Sequence, residues 1–253
     1  LAKIMSDNRV TTVFHLAAAP GVPFSVKHPH ASYRNNDFST INVLEAARLA
    51  DVKRVVSSSS SSIYGGSKSF PTVEADNAYL DFDPRSPYAQ YKAVGEQFCK
   101  TYTNVYGVDT ACLRYFNIFG PRQRADSAYA AVIAAFIDCA VHGQTPIIHG
   151  DGTQFRDFTY VANAVHANML AGFHQEPIGG ESFNVGTSSK ISINDIHKAS
   201  GALKAKHIET RAGDVHGSQA SIDKIINTLG YEVLVNFEEG MRLTREWHDG
   251  QSK

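Results

Sequence analysis

The 253-residue sequence has only three cysteines, one tryptophan, and no apolar run near the roughly 20 residues that span a membrane. Cys99, Cys112 and Cys139 are far apart and odd in number. They argue against a disulfide framework and fit a reducing compartment, so a cytoplasmic location is expected. No basic-then-apolar leader is read at the start, and no membrane association is expected. A charge excess is also missing: 24 Lys and Arg stand against 25 Asp and Glu, leaving -1. Nucleic-acid binders need a basic excess, so no nucleic-acid partner is expected either. An anionic ligand must instead be held by a few placed arginines. The histidines show no metal-like spacing with cysteine, and His28-Pro29-His30 reads as a loop. No metal site is expected.

What is present is an alternation of strand and helix signals. Thr11 to Ala19 is β-branched and apolar until Pro20-Gly21 ends it as a strand. Ile41, Leu44, Ala47 and Leu49 then recur at helical spacing, with Ser39 or Thr40 as candidate N-cap. Val55-Val56 leads a second strand into the run Ser57–Ser62. From Ala89 to Tyr106 an amphipathic helix is predicted, with Tyr91, Val94, Phe98, Tyr102 and Val105 on its apolar stripe and Gly107 at its end. A third strand covers DTACLRYFNIF, stopped at Gly120-Pro121. Strands that are apolar without a polar face imply a parallel sheet covered on both sides, and such sheets bind ligands at their carboxyl ends. HLAAA, SSSSSS and RYFN all fall at such ends. Beyond Pro121 the pattern becomes mixed: a helix from about Ser127 to Val141, PIIHGDGTQFRDFTYV, another helix, ESFNVG, and a final helix around Trp247.

Tyr88 and Lys92 lie four apart, hence on one face of the predicted helix. Y-x-x-x-K by itself is a weak signal. Here the helix opens after Ser86-Pro87, and a serine cluster ends the strand before it. A phenol titrates near pH 10; working as a base near pH 7 needs roughly 4 kcal/mol of added stabilisation for the phenolate. A neighbouring ammonium and a positively charged nicotinamide could supply it, with a serine hydroxyl holding the substrate oxygen.

Taken in order, HLAAAPGVPFS, SSSSIYG, SPYAQYK, RYFNIFGPRQ, GDGTQFRDFTYV, FNVG and RAGDVHGSQA resemble the extended short-chain dehydrogenase/reductases, specifically the NAD-dependent sugar-nucleotide epimerases. The resemblance implies an α/β fold: a Rossmann-like parallel sheet, its N-terminal strands missing, beside a smaller mixed α/β substrate domain. Residues 1–121 would be the partial NAD-binding part and 122–253 mainly the nucleotide-sugar part, with about 150–186 returning to the first. Matched to the family, Tyr88 is the base, Lys92 its tuner and ribose ligand, and Ser60, four residues before Tyr64, the catalytic serine. NAD would also touch Leu16, Ala17, Asn36, Ser58 and Phe116. Asn117, Arg156 and Arg211 would hold the diphosphate of a UDP-sugar, and Asp214 its ribose. The implied reaction is transient oxidation at C4 of the hexose, with hydride returned to the opposite face.

Two features refine that expectation. Ser61 and Ser62 stand where related dehydratases and decarboxylases carry an acid, which favours epimerisation. Ser218 stands where relatives carry residues up to tyrosine, and a small residue leaves room for an N-acetyl group. The expected substrates are therefore UDP-N-acetylglucosamine and UDP-N-acetylgalactosamine, with UDP-glucose or UDP-glucuronate as alternatives. The family's dimer, built from the helix after Asn36 and the helix bearing Tyr88, is expected as well.

There are departures. The glycine-rich turn that holds the pyrophosphate is not in the sequence, and about 60 residues of the family pattern would precede Leu1. Either the chain is a piece of a longer product, or it is a truncated relative that binds nucleotide-sugars without catalysis. Ala162 replaces an acidic residue, leaving Asn163 to cap the next helix; Ser221 replaces a common aspartate, and Arg124 stands where an acid is frequent. The stretch DIHKASGALKAKHIE is shorter than the family's helix and strand.

Overall fold

The apolar runs pair in parallel. The computed structural model describes residues 1–66, 69–74, 85–123, 132–210 and 216–251. Helix α1 (Ala2–Asp7) precedes β1 (Thr12–His15); α2 (Val22–Lys27), α3 (Pro29–Tyr33), a π-helical turn (Arg34–Phe38) and α4 (Ser39–Leu49) lead to β2 (Arg54–Ser60). A 3-10 turn (Ser61–Tyr64) follows, then α5 (Pro87–Tyr106), β3 (Asp109–Tyr115), β4 (Asn117–Phe119), α6 (Val132–Val141) and β5 (Ile147–His149). Next come β6 (Phe155–Arg156), β7 (Phe158–Tyr160), α7 (Val161–Phe173), β8 (Glu181–Val185) and β9 (Ile191–Ser192). Finally come α8 (Ile193–Ser200), β10 (Lys206–Ile208), α9 (Asp223–Leu229) and α10 (Phe237–Gln251).

The main sheet runs β1-β2-β3-β8, all parallel, with Ser60 opposite Tyr115 and Tyr115 opposite Val185. Their carboxyl ends therefore share one edge. Strand alternation divides the apolar residues between two cores. Val55 and Cys112 pack with Leu44, Ala47 and Cys99 of α4 and α5. Val56, Ala111, Leu113 and Phe183 pack with Ala167 and Ala171 of α7 and with Ile225 and Leu229 of α9. This is the expected α/β sheet with helices on both faces. A third core joins Phe119, Phe158, Tyr160, Ile133, Ile137, Ile196, Phe237 and Met241, beside the pairs β4-β7 and β5-β10. No helix among the described residues is long and apolar enough to cross a membrane.

The elements differ from the sequence reading in specific ways. The first strand stops at His15 rather than Ala19. The run DTACLRYFNIF serves two sheets, because the chain leaves β3 at Phe116 and re-pairs as β4 with β7. Ser39 and Thr40 do not cap α4. The π-helical turn feeds directly into it, and their hydroxyls donate back to the carbonyls of Asn35 and Asn36. Asn163 sits inside α7 rather than capping it; its amide holds Leu234 and Val235 through three hydrogen bonds. Helix α8 and strand β10 both form in the shortened stretch.

Helix α5 is well bounded: Ser86 accepts from the Ala89 amide at 3.1 Å, Pro87 is the first helical residue, and Gly107 closes it at φ 72°. Its buried face is Ala89, Ala93, Gly95, Glu96 and Cys99. The aromatic stripe read from the sequence is only half-buried, and Val105 is exposed. Small residues let α5 lie close to the sheet, and this brings Glu96 onto Arg114 at 2.7 Å. The side chains of Arg114 and Glu96 are 3% and 1% exposed. Removing one member of such a pair strands the other's charge. Glu96→Ala should therefore lower the unfolding free energy by about 3–5 kcal/mol in urea titrations, whereas an exposed pair such as Lys3–Asp7 should give under about 1 kcal/mol.

Candidate active site

Strand β2 delivers its serines to the sheet edge, and α5 begins beside them. Ser60 is the last residue of β2 and caps the 3-10 turn, accepting from the Ser62 amide at 3.2 Å. Gly65 ends that turn in the left-handed region at φ 62°, where a side chain would be strained. Tyr88, the second residue of α5, is held by its amide donating to Ser25 Oγ at 3.1 Å, and its phenol lies near enough to the Ser60 hydroxyl to feel it electrostatically. One turn on, Lys92 Nζ donates to the Ser58 carbonyl at 2.7 Å and lies 3.3 Å from Ser58 Oγ. Ser60, Tyr88, Lys92 and Ser58 are thus brought together.

Burial pushes the Tyr88 phenol above its ordinary value, with the Ser60 hydroxyl pulling the other way. Lys92 is committed to Ser58, with Nζ 5.9 Å from the centre of the Tyr88 ring. Burial lowers Lys92 to about 8, while nearby Cys112, Asp37, Cys99 and Glu96 oppose the shift. Two further titratable groups face Lys92, and neither was picked out in the sequence. His15 is buried against Thr40 Oγ1 at 3.1 Å and is lowered to about 4, by burial first and Lys92 second. Asp37 is 4% exposed and raised to about 7 by burial, against the pull of Lys92. Their only sequence signals were a histidine ending a strand and an acid following Asn36.

Two cavities lie along this edge. A small one is lined by Ala17, Asn36, Thr40, Ser57, Ser58, Ser59 and Lys92. A larger one, about 370 Å³, is walled by Ser60, Ser61, Ser62, Tyr64, Arg85, Ser86, Phe116, Asn117, Arg156 and Ser218. Asn117, Arg156 and Ser218 are thus placed together, as expected. Ser218 reaches the wall because Gly217 passes flat over Phe155, where a Cβ would sit 2.2 Å from the ring. Phe116 lies in the wall of the larger cavity rather than the smaller. Leu16 is 54% exposed beyond β1 and lines neither. Arg211 and Asp214 lie outside the described residues, as does Arg124. Arg156 does not pair with Asp157, whose carboxylate turns to the amides of Thr187, Ser188 and Ala220.

A model of the NAD dependent epimerase/dehydratase family matches residues 1–186. The chain belongs to this family. UDP-glucose 4-epimerase of Mycolicibacterium smegmatis is 34% identical over 259 residues, covering 100% of this chain and 80% of that relative. Among solved structures, UDP-N-acetylglucosamine 4-epimerase from Methanobrevibacter ruminantium M1, in complex with UDP-N-acetylmuramic acid, superposes with a TM-score of 0.91 at 36% identity. It covers 99% of this chain and 79% of that one. UDP-glucuronic acid 4-epimerase from Bacillus cereus, with UDP-glucuronic acid and NAD, gives 0.86 at 30% identity, covering 99% and 78%.

As a family member the chain is an enzyme with NAD as its cofactor; the small cavity encloses only about 10 Å³, but its lining carries polar groups of the kind that would hold a ribose. Asn36 Oδ1 is a buried acceptor without a hydrogen-bond partner, and the Lys92 ammonium has donors to share with ribose hydroxyls. Ala17, with no side chain beyond Cβ, allows close approach. Among the described residues, no group of His, Cys, Asp and Glu could hold a metal ion.

The Lys92 value sets a stability signature. Its folded pKa, about 8, lies below the unfolded value, so the unfolded state holds more protons between these limits and stability rises with pH. The contribution is full above the unfolded value and is lost as pH falls through about 8. Urea unfolding followed from pH 7 to 9.5 should show that rise, and Lys92→Met should lack it.

Proposed function

We propose that the chain is a UDP-sugar 4-epimerase that interconverts UDP-N-acetylglucosamine and UDP-N-acetylgalactosamine, and with them the smaller pair UDP-glucose and UDP-galactose. The observation that carries this reading is that Ser60, beside the Tyr88 phenol, shares one 370 Å³ cavity with Asn117, Arg156 and Ser218. Ser60 and the residues assigned to the diphosphate thus open onto the same space, while Tyr88 lies beside Ser60 and outside the lining of that cavity.

In this reading NAD, when bound, takes hydride from C4 of the hexose and returns it. Tyr88 takes and gives back the proton of the C4 hydroxyl, and Ser60 keeps that oxygen in line. Lys92 orients the cofactor ribose and adds positive charge beside the phenol. Arg156 and Asn117 tether the diphosphate while the sugar turns. Ser61 and Ser62 line the cavity, without the carboxylate that elimination or decarboxylation would use. Ser218 leaves the C2 acetamido group its space.

Residues 1–121 would serve mainly the cofactor and 122–253 mainly the nucleotide-sugar. Within 150–186, β8 extends the main sheet and α7 covers it. A homodimer through α4 and α5 is supported by exposed Phe38, Leu49, Val105 and Tyr106 on these helices and the adjoining turn. Sedimentation equilibrium should give twice the chain mass; a monomer at micromolar concentration would sink this part.

Proton NMR of UDP-N-acetylglucosamine incubated with protein and NAD should reveal the 4-epimer. Tyr88→Phe should lower kcat by about 100-fold or more with little change in KM. Ser218→Tyr should cost about 10-fold or more in kcat/KM for the acetylated sugar relative to UDP-glucose. Full activity of Ser218→Tyr on the acetylated sugar would remove the pocket argument.

A further inference from the structure

We propose that Asp157 is a positioning residue for the UDP-sugar: its buried carboxylate fixes the part of the cavity wall that carries Arg156 and Ser218. The proposal rests on the UDP-sugar reading above and adds to it a residue that lies behind the cavity lining rather than in it.

Three observations carry it. First, Asp157 is 0% exposed, and its carboxylate is engaged by four donors from two other segments of the chain. Oδ1 accepts from the amide and from the hydroxyl of Thr187, both at 2.8 Å. Oδ2 accepts from the Ser188 amide at 2.9 Å and from the Ala220 amide at 3.1 Å. Second, the surroundings are shaped around it. A Cβ on Gly186, just after β8, would lie 2.8 Å from Oδ2 and 2.6 Å from the Ala220 Cβ, so only glycine permits this approach. Ser188 is held in the left-handed region at φ 59°, a strained conformation for serine, and its amide is one of the four donors. The successive amides of Thr187 and Ser188 thereby form a concave anion nest around the carboxylate. Third, what the carboxylate ties down is cavity wall. Asp157 directly follows Arg156, and the strip 217–220 runs beside it. The Ser218 amide donates to the Phe155 carbonyl at 3.2 Å, Gln219 Nε2 donates to the Ser188 carbonyl at 2.7 Å, and Ala220 bridges Thr72. Arg156, Gly217, Ser218 and Thr72 all line the cavity.

A carboxylate is sustained out of water only when its acceptor sites are filled, so these segments must keep their places for Asp157 to stay buried. With the carboxylate in place, the strip 217–220 cannot slide along β6, and Arg156 and Ser218 keep their spacing. Asparagine has the same shape but only one oxygen. Whichever way its amide turns, an NH2 group faces two donors. The substrate wall would then shift, while Ser60 and Tyr88 stay where β2 and α5 put them.

Titration calorimetry of UDP-glucose with NAD present, alongside steady-state epimerisation, tests this. Asp157→Asn should weaken binding and raise KM by about 10-fold or more, with kcat changed by less than about 3-fold. Thr187→Val removes one donor to Oδ1 and nearly keeps the shape; it should move both quantities the same way by about 2- to 5-fold, and it decides the matter should Asp157→Asn not fold. Asn163→Ala breaks three hydrogen bonds away from this wall, and should lower the urea midpoint without raising KM. Unchanged affinity in Thr187→Val would overturn the proposal. So would a loss in kcat as large as the rise in KM, or an equal rise in KM in Asn163→Ala, since general loosening behaves that way. Calorimetry needs no turnover. Absence of the epimer in the unaltered protein would therefore sink the epimerase reading, while the affinities of the variants still decide on Asp157.

Discussion

The buried pair of Glu96 and Arg114 is the contact on which the arrangement of the site depends. An ion pair out of water is sustained only when every donor and acceptor is engaged. Here Glu96 takes hydrogen bonds from Arg114 through both oxygens, and from Ser59 and Ser182 as well. Arg114 also donates to the Tyr64 hydroxyl at 2.9 Å, and Tyr64 in turn donates to Asn184 at 2.6 Å. One carboxylate and one guanidinium thereby tie together β2, α5, β3, β8 and the 3-10 turn. Ser59 lies between Ser58 and Ser60, and Glu96 is one helical turn beyond Lys92. The pair therefore fixes where Lys92 meets Ser58 and where Tyr88 meets Ser60. A hydrophobic substitute could fill the same volume, but it would not set this register.

Little of that network was legible in the sequence, and the reason is physical. A Glu four residues after a Lys on a helix looks like a solvated charge pair, and an Arg near the end of a strand looks like its polar rim. Only the close approach of α5 to the sheet buries them, and that approach comes from Ala89, Ala93 and Gly95, small residues that give weak periodicity. The aromatic stripe gave the stronger signal, yet it marks the half-buried outer face. The parallel sheet was legible because Val55-Val56 and DTACLRY have no polar face. The switch at Phe116 was not, since an apolar run does not say which neighbour it pairs with. Tyr88 and Lys92 could be singled out because a phenol base needs an ammonium on the same helix face, whereas Ser60 was distinguished from its neighbouring serines only by the family's spacing to Tyr64. Asp37 and His15 could not, because burial alone gives them their character.

The proton inventory around Lys92 sharpens what the site can do. Near neutral pH His15 is neutral, Asp37 is close to half-protonated, and Lys92 is mostly charged. The net charge beside Tyr88 is small and positive, while burial still holds the phenol high. The protein alone therefore does not generate a phenolate. Ionisation of Tyr88 needs further positive charge close by, which oxidised nicotinamide carries and its reduced form does not. On the proposed reading, the base is thus ready when there is a hydroxyl to oxidise. Without that charge, burial would leave the phenol protonated.

This coupling also limits the reaction. With Ser61 and Ser62 in the wall and no carboxylate among the described residues lining the cavity, the proposed reading leaves Tyr88, beside Ser60, as the acid–base group at the sugar. Elimination or decarboxylation would require a second acid or base positioned elsewhere on the sugar. A site that moves one proton and one hydride at one carbon can only return what it took. The face to which hydride returns is then set by how the sugar sits while its diphosphate stays tethered, and not by any further catalytic group.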